Sequence, residues 1–223
     1  MSEQLDSQPL ISRLYVRFVR RGNAAAFIRG VSQSYTLPTL HRVARDGNCI
    51  ARRGAVLAIT YLGGAESIAA VGQALRDLDR AVRMIAEGGI TSVWSRAGSS
   101  EQCQRLQAAM RLNRSGQYAQ AIELADEILL EHPGFAEAWH QRALAQYSLG
   151  ELDEAISDSQ QALEANPYHF QAAVGLGQCY LERNEPSTAI CCFQWALQIH
   201  PHLEFARAQV RRLQRELRER LDR

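Results

Sequence analysis

The chain has 223 residues, 46% of them hydrophobic and 22% charged, with six prolines and a net charge of +1. These are the proportions of a folded, water-facing protein and exclude a disordered one. No apolar run approaches the ~18 residues that a membrane-spanning helix requires, and five cysteines, an odd number, fit reduced thiols better than a disulfide framework.

Charge is unevenly spread along the chain. Residues 1–100 hold 13 Arg against 7 acids, residues 101–200 hold 5 against 13, and the last 23 hold 7 against 4. Every cation is Arg; there is no Lys. Two surfaces with different tasks would give this pattern, and so would variation on solvated faces.

In chain order, Met1 to Pro9 is polar and acidic, and arginines break the apolar pattern from Leu10 to Arg21. That does not fit a secretory leader, so a cytoplasmic location is expected. Residues 10–35 carry amphipathic helical patterning (Leu10, Ile11, Leu14, Phe18, then Ala24 to Val31) and form a helical cap, residues 1–36. A period of 31 follows: Arg45-Asp46 returns as Arg76-Asp77, and Arg52 as Arg83. Between these lies the apolar run Ala55 to Ile59, closed by Leu62-Gly63-Gly64, a helix with a glycine stop; Glu87-Gly88-Gly89 interrupts the second unit. Ala97-Gly98-Ser99-Ser100 marks a boundary, with residues 98–101 as a linker.

Beyond it the period is 34. Pro133, Pro167 and Pro201 share it, as do the pairs Ala121-Ile122, Ala155-Ile156 and Ala189-Ile190. Each unit reads as two helices. Ala136 to Leu149 has helical spacing, Gly150 breaks it, Asp153 to Ala165 forms the second helix, and Asn166-Pro167 stops it. Each hairpin leaves an apolar face that only a neighbour can cover, so the units stack. The spine Leu203, Ala206, Val210, Leu213, Leu217 and Leu221 gives a capping helix, residues 202–223.

The 34-residue pattern resembles the tetratricopeptide repeat over residues 102–201, in hairpins 102–135, 136–169 and 170–201. Leu176-Gly177, Tyr180, Ala189, Phe193, Ala196 and Pro201 fall in family slots, as do Trp139, Gly150, Ala155, Ala162 and Pro167, and Gly116, Tyr118, Ala121 and Pro133. Arg142-Ala143 departs from the pattern, where Leu-Gly is usual. Residues 37–97 resemble HEAT-type repeats, in which a recurring Asp and a following Arg form ladder contacts; Asp46, Arg52, Asp77 and Arg83 fill those slots. The fold class is therefore all-α: a helical-repeat solenoid with a HEAT-like array, three tetratricopeptide-like hairpins and a capping helix.

Catalytic signatures are missing. There is no G-x-S-x-G, phosphate-binding loop, H-E-x-x-H or C-x-x-C, and Gly175-x-Gly177 lies inside a helix. Glu137 and His140 share one helix face, but a bundle metal site needs a matching pair from other helices. His200-Pro201-His202 reads as a loop, and Cys191-Cys192 point ~100° apart, as buried or half-buried thiols. No catalytic residue, metal or cofactor is expected.

The resemblance implies an inner groove lined by the first helix of each hairpin. It would present Leu106, Met110, Asn113 and Arg114; then Glu137, His140, Leu144, Tyr147 and Ser148; then Gln171, Val174, Gln178, Leu181 and Glu182. The cations that clamp a peptide's terminal carboxylate are mostly missing, so a helix or hydrophobic peptide suits it better; the groove could also be self-occupied by the first array. Asn166-Pro167-Tyr168-His169-Phe170 reads as an exposed patch or as a plug between units. The expected function is a non-enzymatic adaptor for a protein partner. Nucleic-acid binding through the Arg-rich first half is the alternative, and a bilin-attaching HEAT-type enzyme is a remote one.

Overall fold

The computed structural model describes residues 8–221, with the side chains of 220 and 221 left aside. The acidic start of the cap segment, residues 1–7, and the end of the last helix, including the Leu221 side chain, lie outside the described residues. Thirteen α-helices and one short 3₁₀ turn make up the described chain, with no strand among them. They divide into two compact units, residues 1–97 and 98–223.

The first unit holds six helices: α1 Leu10–Arg21, α2 Ala24–Ser32, α3 Leu37–Asp46, α4 Cys49–Leu62, α5 Ile68–Ala74 and α6 Arg80–Trp94. Side chains define most of the starts. Asn23, Thr36, Asn48 and Asp79 each accept a hydrogen bond from a first-turn N–H of α2, α3, α4 and α6. The Tyr35 hydroxyl oxygen accepts from the Ile11 N–H at the start of α1. Helix α4 lies at the centre, against α1, α3 and α6. Its Val56 and Ile59 join Ile11, Phe27, Leu40, Val71, Leu75, Val82, Ile90 and Trp94 in the core.

The 31-residue period has a geometric counterpart. Arg52 donates to both carboxylate oxygens of Asp77, each at 2.8 Å, and to the Gly47 carbonyl. One period later, Arg83 donates to the Leu78 and Asp77 carbonyls. Arg53 adds a bidentate pair to Asp79. Asp46 stands apart from this ladder, paired with its neighbour Arg45 on the surface.

Glu87-Gly88-Gly89 does not interrupt its helix, contrary to expectation: α6 runs unbroken from Arg80 to Trp94. A glycine pair costs a helix about 2 kcal/mol in propensity, and packing offsets it. Gly89 sits on Thr60 of α4 so closely that an added Cβ would lie 2.3 Å from the Thr60 methyl. Gly89→Ala is therefore expected to destabilise by about 1–3 kcal/mol, through overpacking. Gly88→Ala, which meets no atom within 4 Å, should stabilise slightly. Paired thermal melts decide this: a Gly89→Ala protein that melts at or above wild type refutes the packing account.

The second unit is three helix pairs in chain order: α7 Ser100–Arg114 with α8 Tyr118–Glu131, α9 Ala136–Leu149 with α10 Leu152–Ala165, and α11 Phe170–Glu182 with α12 Pro186–Ile199. Helix α13, Glu204–Leu221, closes the series against α12 through Ala206, Val210 and Leu213. Helix α7 starts inside the expected linker. Ser99 accepts from the Gln102 N–H while the Gln102 side chain accepts from the Ser99 N–H, a reciprocal cap that recruits the small polar residues into the helix start. Gly150, at φ 82°, ends α9, and Asn166 caps the end of α10.

Candidate partner-binding groove

The first helices of the three hairpins, α7, α9 and α11, form one side of the second unit. Along it runs an open cavity of about 420 Å³, lined by Met110, Asn113, Arg114, Tyr118, Gln141, Leu144, Tyr147, Ser148 and Gln178. Seven of the expected groove residues meet here: Met110, Asn113, Arg114, Leu144, Tyr147, Ser148 and Gln178. Leu144 is 36% exposed, a high value for a leucine facing other helices. The Tyr147 hydroxyl donates to Glu182 across 3.3 Å, tying α9 to α11, and burial beside that carboxylate raises the phenol pKa. Arg114 supplies the cavity's one cation. Tyr118 and Gln141 were not anticipated from sequence; Tyr118 begins a second helix, and Gln141 lies one residue past His140.

Three expected groove residues are buried instead. Leu106 is inaccessible, and Glu137 and His140 are 3% and 5% exposed. The reason is position along the helix rather than face. Residues 137, 140, 141, 144 and 148 share a ridge of α9, but the start of α11 seals its N-terminal end. There His169, inaccessible to solvent, places Nε2 3.1 Å from Glu137 Oε2. Its Nδ1 accepts from the Ala172 N–H and caps α11, which puts the ring proton on Nε2, donating to Glu137. Gln141 donates to the other Glu137 oxygen at 2.8 Å, and Asn113 donates to the Gln141 carbonyl and side-chain oxygen. A polar chain thus runs from the groove floor at Asn113 through Gln141 and Glu137 to the cap of α11. Gln171, Val174 and Leu181 are half-buried on α11 and do not line the cavity.

Electrostatics of the buried group follow from its surroundings. Burial opposes ionisation of Glu137, and the His169 hydrogen bond, with His140 and Gln141, outweighs it, holding the carboxyl below its usual range. Burial, and the neighbouring His169 ring at 4.7 Å, push the His140 pKa down to about 4. The pair is thus a carboxylate beside a neutral imidazole. Among the described residues, no group of three or more His, Cys, Asp and Glu is arranged to hold a metal ion.

Elsewhere the expected chemical candidates take structural places. Phe170 is buried edge-on against His200, and Asn166 and His169 are buried, so the 166–170 segment plugs the seam between hairpins. Cys192 and Cys179 are buried thiols with pKa pushed up to about 11, while Cys191 is exposed. In the first unit, sequence reading missed one contact: His41 Nε2 lies 2.8 Å from the buried Ser67 Oγ, which in turn reaches Glu66 at 3.3 Å. That hydroxyl is wholly enclosed and spans the turn between α4 and α5, so it joins elements and offers no nucleophile to solvent.

The tetratricopeptide repeat family model matches residues 134–201, the second and third hairpins. The chain is 26% identical over 142 residues to a TPR repeat-containing protein of Rhizobium etli, covering 64% of this chain and 69% of that protein. It is 31% identical over 105 residues to tetratricopeptide repeat protein 33 of Mus musculus, covering 47% of this chain but only 40% of that protein. In structure it is similar to the first TPR of Spaghetti (RPAP3) bound to an HSP90 peptide. There the TM-score is 0.51 at 19% identity, over 54% of this chain and 95% of that one. The second and third hairpins, residues 134–201, are tetratricopeptide repeats, within an all-helical repeat fold. That family serves generally as a scaffold for protein interaction.

Proposed function

We propose that this protein is an adaptor whose tetratricopeptide groove holds a helix or a hydrophobic peptide from a protein partner. One observation carries the reading. The open end of the α9 ridge exposes Leu144 and Tyr147 beside Met110, with polar groups at the edges and one cation, so apolar side chains, rather than a terminal carboxylate, are the matched cargo. The related domain of Spaghetti carries a peptide in its solved structure. The first unit is read as a HEAT-like pair, residues 37–97, supported by the Arg52–Asp77 rung and the repeated carbonyl contacts of Arg52 and Arg83.

The test is capture of partners by the tagged full chain from a lysate, with nuclease treatment at low and high salt, compared with the Leu144→Arg/Tyr147→Arg variant. Both residues face the cavity, so the variant should keep its helical content and melting temperature. It should lose, by at least tenfold, any partner that survives salt and nuclease. A salt-resistant partner held equally by the variant refutes the groove as its site.

A further inference from the structure

From Ser7 to Arg45 the sequence contains seven arginines and no Asp or Glu. The fold concentrates this charge. On α1, Arg13, Arg17, Arg20 and Arg21 stand at i, i+4, i+7 and i+8, one face of one helix. The opposite face, with Ile11 at its centre, is packed on α2 and α4. Arg17, Arg20, Arg21 and, on α2, Arg29 are exposed. None of these four has an ion pair among the described residues, whereas Arg52, Arg53, Arg105 and Arg142 are all engaged by carboxylates. Arg17 and Arg21 also flank a small cleft of about 140 Å³ at the α1–α2 junction, floored by Leu14, Phe18 and Phe27.

We infer that the α1–α2 face binds the phosphodiester backbone of nucleic acid, without reading sequence. Arginine forks match phosphate oxygens bidentately, and successive rungs on α1 lie about 6 Å apart along a rigid helix. A uniformly charged polymer needs no interspersed acids to set register, and among the described residues α1 and α2 carry none. A protein partner of ordinary specificity needs an apolar interface core ringed by mixed charges; here the apolar residues of α1 are buried or half-buried, apart from the exposed Val19, and form no wholly exposed apolar patch. The same packing argues against a bilayer, because no apolar face remains free to enter the headgroup region. The face is independent of the groove, so its failure leaves the adaptor reading intact.

The experiment is fluorescence polarisation of the full chain against a labelled 20-base-pair duplex and its single strand, from 50 to 200 mM salt. Four phosphate contacts predict that the affinity falls by about 100-fold over that range. The Arg17→Gln/Arg20→Gln/Arg21→Gln/Arg29→Gln variant, whose changed side chains are solvated and whose fold is checked by circular dichroism, should bind at least tenfold more weakly at 50 mM, with a shallower salt slope. An Arg211→Gln/Arg212→Gln/Arg215→Gln/Arg218→Gln variant of α13 removes the same total charge and should bind within twofold of wild type. The inference is overturned by no binding at 50 mM salt, or by equal loss in the α13 variant. It is also overturned if the chain binds vesicles containing 30% phosphatidylserine while neither nucleic acid competes.

Discussion

Lowering the pH from about 6.5 to about 4 is expected to remove about 3 kcal/mol of stability from the tetratricopeptide unit through a single side chain, His140. In the folded chain its imidazole is enclosed beside His169 and stays neutral down to about 4; in the unfolded chain it takes a proton near 6.5. Between those values the unfolded state binds more protons than the folded one, so stability falls as pH falls and is complete above about 6.5. Glu137 acts in the same direction at lower pH. Its carboxyl is held below the usual range, so its contribution is present above the ordinary carboxylate pKa and is lost as pH falls through the depressed value. Urea unfolding midpoints between pH 7.5 and 4 measure the effect, read as the difference between wild type and His140→Phe so that other histidines cancel. The variant should show a markedly flatter profile in that window. Parallel profiles would mean that His140 titrates alike in both states, and the enclosed neutral imidazole would be wrong.

The same residues show what the sequence could and could not reveal. The 34-residue period places every hairpin of the second unit, because proline stops, glycine turns and small residues at helix crossings are local requirements with local signals. Pro133, Pro167 and Pro201 each follow a helix end, as the period demands. Helical spacing also puts residues 137, 140, 144 and 148 on one ridge of α9. It cannot tell depth along that ridge. Glu137, His140 and Leu144 differ by one turn each, yet the first two are sealed by His169, a helix cap 32 residues beyond Glu137, and only Leu144 remains open. The signal available was chemical: a carboxylate and two histidines, at 137, 140 and 169, on elements that the repeat makes adjacent. Gly88-Gly89 failed for a related reason. A helix-breaking pair was judged by propensity, and a tertiary contact to Thr60 overrode it. In the first unit the spacing of the α1 arginines already puts them on one helix face, but that this face is the one turned to solvent depends on how the helix packs.

The departure of Arg142-Ala143 from the family pattern leads to the remaining large effect. In the third hairpin the equivalent pair is apolar: Leu176 on α11 and, sixteen residues on, Cys192 on α12, both buried. In the second hairpin the same sixteen-residue spacing joins Arg142 to Asp158, with bonds of 2.6 and 2.8 Å to a side chain only 5% exposed. Arg142 also pairs with Asp126 of α8 and lies 4.7 Å over the Trp139 ring. The guanidinium pKa is raised, first by the Asp158 hydrogen bonds, so the charge is fixed at any accessible pH. Replacing Arg142 by Leu leaves Asp158 buried without its counter-ion and is expected to cost about 3 kcal/mol. Arg142→Leu/Asp158→Cys, which copies the third hairpin, should recover most of that loss, because a buried ion pair and an apolar pair of similar volume are close in free energy. Unfolding free energies of the two singles and the double close a mutant cycle. A single-variant cost below about 1 kcal/mol would place the pair with ordinary surface bridges. Full recovery would also separate two roles, since Arg142 ion-pairs α9 to both α8 and α10. If the ion pair only replaces apolar packing, the double variant holds the groove partner as wild type does; if it also sets the angle of α9, stability returns while partner affinity stays low.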